Sequence, residues 1–444
     1  MKFKLPEIYF TTRSYAAVAV LVFVYLLGFI NVFFYHTANI LLLLFIITLI
    51  IDTLILFANK NAVSAKRNSA AKLSNGDENV ISIHVENHYS FKANITVIDE
   101  LPIQFQIRDF ERKIVLDSGK DSVIRYSLRP VERGEYHFGA LRVFVSSFLK
   151  LMERRFSFEQ NAMLPVYPSF IQMRKYELLA IHNKLMSGGI KKIRRIGQTT
   201  EFDQIKEYVS GDDIRTINWK ATARRDKIMV NKYQDEKSQP VYCLLDMGRN
   251  MKMPFEQMAL LDYAINASLV ISNIAHIKSD KPGIITFTNQ IHTHVKAERR
   301  NSQMKRILEA LYNQETNYNE SDFSKLYMHV KNQVTQRSLL LLFTNFESLS
   351  SLRRQLKYLR QIAKHHLLVV IFFENTELRK LLDKSADNTF EIYYKTIAEK
   401  FELEKRLIAK ELAACGIQSI YTSPQNLSVN TINKYLELKA RGLV

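Results

Sequence analysis

Few side chains in this 444-residue chain have both the type and the neighbours to do chemistry. Asp212 and Asp213 form a carboxylate pair, an arrangement in which one acid can stay protonated while the other ionises. No nucleophile or histidine stands near them, so catalysis is not expected there. Asp246 closes an apolar run, Val241 to Leu245, with Asn250 four residues on, and Asn345 follows a second run, Leu339 to Phe343. His84 and His88 have the i, i+4 spacing of metal ligands on a helix. The alternation around them predicts a strand, which makes them surface histidines. No G-x-x-x-x-G-K-[ST] phosphate loop occurs, so the chain is not expected to hydrolyse nucleotide.

Two cysteines, Cys243 and Cys415, are too few for a disulfide framework and fit a reducing compartment. Lys and Arg outnumber Asp and Glu by 62 to 44, a net charge of +18. That excess suits nucleic acid, anionic lipid or an acidic protein and cannot choose among them. The length exceeds what one core usually holds, so two or three domains are expected.

The elements begin with two apolar runs, Tyr15 to Tyr35 and Ile40 to Ala58, each long enough to cross the hydrocarbon of a bilayer. They predict a transmembrane hairpin within 1–60 (spans about 15–35 and 39–58), its tip at His36–Asn39. Lys2, Lys4 and Arg13 before it, and Lys60, Lys66, Arg67 and Lys72 after it, place both termini and the soluble domains in the cytoplasm, with the chain multi-pass in the cytoplasmic membrane. The first run is too long for a signal peptide and lacks a cleavage site. Asp52, the acid inside the second run, reads as interfacial rather than as part of an ion path.

A linker over 61–78 leads to a small antiparallel β-sandwich over 79–168. Its strands are expected at Val80–Val85, Phe91–Ile98, Ile103–Ile107, Val123–Leu128 and Arg142–Val145, with turns at intervals of about ten residues. A connecting segment follows over 169–239. From 240 to 444, apolar strands (Val241–Leu245, Gly283–Phe287, Leu339–Phe343, Leu367–Phe373) alternate with amphipathic helices. These helices are Glu256–Ile277, Met304–Tyr312, Leu352–Lys364, Glu391–Ala414 and Asn426–Lys439. This pattern predicts a doubly wound, mostly parallel α/β sheet whose ligands bind beyond the strand carboxyl ends, at Asp246–Met251 and Thr344–Glu347.

The block Gly211-Asp212-Asp213-Ile214-Arg215-Thr216-Ile217-Asn218-Trp219-Lys220-Ala221-Thr222-Ala223-Arg224, followed some twenty residues later by a strand ending in Asp246, resembles the signature of the domain of unknown function 58 family. Arg133-Gly134-Glu135-Tyr136 and Val166-Tyr167-Pro168 extend the likeness across nearly the whole chain. The resemblance implies two N-terminal spans, a β-rich middle and a von Willebrand factor A-like end. It also implies association with MoxR-type AAA+ ATPases. The family has no assigned activity.

Von Willebrand factor A-like domains often hold Mg²⁺ through Asp-x-Ser-x-Ser, a distant Thr and a later Asp. Here Asp246 matches, Gly248 and Asn250 replace both serines, and Asn345 stands in for the later Asp. The site is degenerate, with one carboxylate where two would face the ion, which weakens any Mg²⁺ binding. Asp246 as a loop acceptor is the competing reading.

In the signature block, one Asp is expected to cap a short helix that exposes Arg215, Lys220 and Arg224 while Trp219 anchors its packed face. Gly211, Asp212, Asp213, Arg215, Asn218, Trp219, Lys220 and Arg224 are the candidate partner-binding residues. An internal salt-bridge network is the alternative. Eleven basic and six acidic residues lie between Lys191 and Lys232. Anionic lipid is a possible contact for Lys191–Arg195, and aromatic spacing argues against nucleic acid. The expectation is a non-catalytic membrane-anchored adaptor for a MoxR-type ATPase. A metal-dependent enzyme or binding protein centred on Asp246 and a membrane-tethered nucleic-acid binder are the alternatives.

Overall fold

Two apolar helices stand near the start of the described residues. The computed structural model describes residues 8–158, 162–181, 201–210, 212–234, 238–382 and 388–443, and it divides into two units, 1–167 and 168–444.

After a short strand β1 (Ile8–Phe10), helix α1 (Thr12–Leu27) is capped by Thr11. Helix α2 (Val32–Phe57) is capped by Asn31, whose side chain accepts the Phe33 N–H at 2.9 Å. The turn therefore lies at Gly28–Asn31, not at His36–Asn39. Gly28 ends α1 and Asn31 caps α2, whereas the run from His36 to Asn39 has neither glycine nor proline and is helical. Tyr25 of α1 donates to Asn39 Oδ1 of α2 at 2.8 Å.

Asp52 is fully buried although its helix is otherwise apolar. Its carboxylate accepts the Ser147 hydroxyl and the backbone N–H groups of Leu151 (3.1 Å) and Met152 (2.9 Å). The carbonyl of Leu56, near the end of α2, accepts from Arg154 and from the Tyr89 hydroxyl, each at 2.7 Å. Orphan carbonyls at a helix C-terminus favour such a cation.

These partners belong to a β-rich body of strands β2 (Val63–Asn68), β3 (Leu73–Ser74), β4 (Asn79–Asn87), β5 (Ala93–Asp99), β6 (Glu111–Leu116), β7 (Asp121–Leu128), β8 (Gly134–Phe138), β9 (Leu141–Ser146), β10 (Met152–Phe158) and β11 (Ala162–Tyr167). They form three sheets, β1-β10-β9-β5-β6, β2-β4-β7 and β3-β11-β8, antiparallel except for β3 with β11. Inward residues such as Ile83, Ile95, Val143 and Phe138 meet in one core.

The expected linker is partly strand: β2 pairs with β4 from Val63 to Asn68. Its inward side reads Val63, Ala65, Arg67, and the charge on Arg67 conceals the alternation. Ile103–Phe105 is a 3-10 turn rather than a strand, ended by Gln106 at φ 55°.

In the second unit, α3 (Phe170–Ile181) leads to a separate two-stranded hairpin, β12 (Glu201–Glu207) with β13 (Met229–Gln234), whose connection carries α4 (Trp219–Arg225). The main sheet follows. Its strands are β14 (Pro240–Asp246), β17 (Lys281–Phe287), β18 (Ile291–Val295), β19 (Leu339–Phe343), β20 (Leu367–Phe373) and β21 (Gln418–Thr422), in the order β18-β17-β14-β19-β20-β21. All neighbours are parallel except β17 with β18. A small hairpin, β15 (Pro254–Phe255) with β16 (Met258–Ala259), precedes helix α5.

Helices α5 (Leu260–Ile277), α6 (Gln303–Tyr312) and α11 (Leu427–Ala440) pack on one face; α7 (Phe323–Gln333), α8 (Leu349–His365) and α10 (Thr389–Ala414) pack on the other. Helix α9 (Thr376–Leu382) follows β20. Coverage of both faces explains why β14, β19 and β20 are continuously apolar. From β14 the chain runs outward to β17 and then returns across it to β19, so the switch point lies between the ends of β14 and β19.

The first unit contains a buried ion pair that makes its fold testable. Arg67 Nε donates to Asp99 Oδ2 at 3.1 Å, its Nη2 reaches Asp99 Oδ1 and the Gly139 carbonyl, and the Tyr126 hydroxyl adds a 2.5 Å bond to Asp99. The guanidinium also lies 5.0 Å from the Phe138 ring centroid. Removing one partner strands the other charge. Asp99→Ala is therefore expected to destabilise this unit by about 3–5 kcal/mol, read from the denaturant midpoint of the full chain in detergent, whereas Arg67→Met with Asp99→Leu recovers most of that loss.

Candidate functional site

At the switch point the chain turns sharply after β14, and Asp246 receives three hydrogen bonds. Gly248 N–H donates to Oδ1 at 2.9 Å, the Ser321 hydroxyl donates to the same oxygen, and the Thr344 hydroxyl donates to Oδ2 at 2.6 Å. Burial raises the Asp246 carboxyl above its ordinary range, and these three donors oppose the rise. Gly248 leaves the space that Ser321 Oγ occupies: a Cβ there would displace that hydroxyl from Asp246, so the hydroxyl expected at position 248 arrives from position 321 instead.

Asn250 donates from Nδ2 to the Asn345 carbonyl at 3.2 Å, while its buried Oδ1 has no hydrogen-bond partner among the described residues. Asn345 Oδ1 faces a side chain that the sequence pattern did not single out, Lys405 of α10. The ammonium donates to Asn345 Oδ1 at 2.7 Å and to the Phe346 carbonyl at 2.5 Å. Burial lowers the Lys405 pKa to about 8, against the pull of Glu347, Glu402 and Glu404.

The resulting cleft, about 100 Å³, has oxygen donors suited to a hard cation but only one carboxylate among the candidate ligands, with a lysine ammonium already on the third candidate. Among the described residues there is no cluster of three or more His, Cys, Asp or Glu side chains able to hold a metal. The three candidate ligands do not fit Mg²⁺, because they bring one carboxylate, Asp246, and Asn345 is already held by the Lys405 ammonium; of the other carboxylates lining the cleft, Glu320 is paired with Arg249 and Glu347 is exposed. Beside it, the strand ends of β19–β21 and helix α10 enclose a larger, mostly apolar cavity of about 350 Å³, lined by Phe255, Phe373, Leu378, Phe401 and Lys405 among others.

The signature block is assembled differently from expectation. Asp212 does not cap a helix; it accepts from Lys206 Nζ (2.7 Å) and Val209 N–H (3.0 Å) and so ties the connection to β12. Asp213 caps a 3-10 turn over Ile214–Thr216 through Arg215 N–H at 3.0 Å. Asn218 caps α4 through Ala221 N–H at 3.0 Å and reaches Asn231 of β13 at 2.8 Å, while the Thr222 hydroxyl receives Met229 N–H at 3.0 Å. The short polar residues thus frame the module.

Trp219 does not anchor a packed face: it is 71% exposed. Arg215, Lys220, Arg224 and Arg225 are exposed with it, and none of the four forms an ion pair with a described carboxylate. Gly211 and the basic run Lys191–Arg195 lie outside the described residues. His84 sits on β4 at the surface, 2.9 Å from Asp121, and is not paired with His88 as a ligand.

Comparison with known proteins matches the same region. The family described as "Protein of unknown function DUF58" matches residues 204–401. The uncharacterized protein YeaD of Bacillus subtilis is 27% identical over 199 residues, which is 44% of this chain and 50% of that protein. The chain therefore matches about half the length of this relative. Among solved structures, the CARDB domain of a Pyrococcus furiosus protein covers 23% of this chain and 86% of its own, with 10% identity and a TM-score of 0.18. Proximal thread matrix protein 1 from the mussel byssus covers 45% of each chain with 11% identity and a TM-score of 0.26. Neither structural likeness carries an argument at such scores. Residues 204–401, from the first strand of the hairpin module through most of the six-stranded sheet, match the DUF58 family of proteins of unknown function.

Proposed function

We propose that this chain is a non-catalytic, membrane-anchored adaptor. In this reading α1 and α2 form a two-span hairpin in the cytoplasmic membrane with both termini and the soluble units in the cytoplasm, and the six-stranded sheet is a von Willebrand factor A-like domain. The hairpin module docks a protein partner, a MoxR-type AAA+ ATPase. The length and apolar surface of α2, largely unburied, support the membrane anchor; α5 is apolar too, but it is a core helix of the sheet.

The observation that carries the docking reading is the exposure of Trp219 among Arg215, Lys220, Arg224 and Arg225 on a frame hydrogen-bonded from within. Trp and Arg dominate interface hot spots because they combine apolar area with charge. Four cations without a carboxylate partner among the described residues call for an acidic patch opposite them. Catalysis has less support: Asp246 already accepts from three donors, and Cys243 is buried, with its thiol pushed up to about 12 by that burial, which disfavours the nucleophilic thiolate.

A pull-down of the full chain in detergent against Arg215→Ala and Trp219→Ala tests the docking surface. With each truncation costing about 2 kcal/mol, capture of the ATPase should fall roughly thirtyfold. Equal capture by wild type and both variants removes this surface from the account. Metal binding is tested separately by thermal unfolding in millimolar Mg²⁺. No shift is expected for the wild type, nor for Gly248→Ser with Asn250→Ser, because the new side chain at 248 collides with Ser321 instead of facing an ion. A rise in Tm abolished by Asp246→Ala would establish the metal-dependent alternative.

A further inference from the structure

Between β9 and β10 the loop Ser147–Leu151 is anchored on both apolar helices. Ser147 and the N–H groups of Leu151 and Met152 bind Asp52 of α2. The carbonyl of Lys150 accepts the Thr11 hydroxyl at 2.6 Å, and that of Leu151 accepts the Ser14 hydroxyl at the start of α1. Lys150 adopts a left-handed backbone conformation, φ 55°, which reverses the chain there. The tip so fixed presents Phe148, 63% exposed.

The position of this tip relative to a bilayer follows from helix length. From Val32 to Ile51, helix α2 carries no Asp, Glu, Lys or Arg, and at 1.5 Å per residue that stretch measures about 30 Å, the thickness of the hydrocarbon core. Asp52 marks its end, and the groups that satisfy Asp52 are those of the loop. Around the same level lie Phe10, Arg13 and Tyr15, all exposed. Aromatic rings together with basic side chains are what the interface between acyl chains and headgroups selects.

We infer that the β9–β10 loop is a membrane-seated contact: the Phe148 ring enters the boundary between headgroups and acyl chains, and Lys150 and Arg13 meet the phosphates of anionic phospholipid. This inference rests on the reading of α1 and α2 as membrane spans. It adds a second fixed point, because a body held at the end of α2 and seated through the loop cannot tilt freely on its anchor.

Trp219 is the sole tryptophan of the chain, so Trp219→Phe gives a silent background. In that background, Phe148→Trp, Leu43→Trp and Val80→Trp are compared in the full chain, reconstituted in phosphatidylcholine vesicles containing phosphatidylglycerol and carrying nitroxide quenchers at shallow or deep positions. Leu43 lies about midway along the uncharged stretch of α2, and Val80 is an exposed residue of β4. Phe148→Trp should be quenched at least about twofold more by the shallow label than by the deep one, with Leu43→Trp showing the opposite order and Val80→Trp responding to neither. If Leu43→Trp is quenched by the deep label while Phe148→Trp behaves like Val80→Trp, the loop proposal is overturned and the spans stand. If Leu43→Trp is also unquenched, the membrane-span reading fails and takes the proposal with it.

Discussion

A carboxyl group inside an apolar helix is tolerable only where its oxygens find hydrogen-bond partners, and in the first unit that requirement falls on Asp52. The donors come from one loop, so the helix can dock in one register and at one height. With Asp52 met by Ser147, Leu151 and Met152, the last turn of α2 brings the Leu56 carbonyl to Arg154 and Tyr89, and the Leu56 side chain joins the core that holds Tyr89 and Val85. The apolar helices and the β-rich body thereby become one unit rather than an anchor and a cargo on a flexible tether.

The second unit solves a different electrostatic problem. Parallel strands converge their carboxyl ends on the switch point, where related folds bind ligands. Here the Asp246 carboxylate is consumed by Gly248, Ser321 and Thr344, and Lys405 brings a resident ammonium onto Asn345. Cohesion of the strand-end loops thus comes from internal hydrogen bonds and from a lysine on α10. The site has the place of a ligand centre and the chemistry of a loop clasp.

Much of this was legible in the sequence wherever a period was clean. The strands β14, β17, β19 and β20 and the helices α5, α6, α8, α10 and α11 stand within a few residues of expectation, because continuous apolar runs and amphipathic repeats report burial directly. Legibility failed where a polar residue points inward or an apolar one outward. Arg67 on the inner side of β2 makes a strand read as a linker, and exposed Trp219 reads as a packing anchor. Helix α7 carries Lys325, His329 and Lys331 among its apolar positions and gave little signal, although it follows the loop that delivers Ser321. Ser321 and Lys405 reach the strand ends from 75 and 60 residues away from the groups they touch, distances over which spacing carries no information.

The division of labour inside the signature block is the core of the functional proposal: Asp212, Asp213, Asn218 and Thr222 hold the module together, and Arg215, Trp219, Lys220 and Arg224 are exposed. The most direct measurement is photo-crosslinking from a benzoylphenylalanine placed at position 219 of the full chain in native membranes, with the crosslinked species identified by mass spectrometry. The account predicts an adduct with a MoxR-type ATPase that disappears when Arg215 and Arg224 are changed to Glu. Adducts confined to lipid or nucleic acid, or an ATPase adduct that survives this charge reversal, would contradict it.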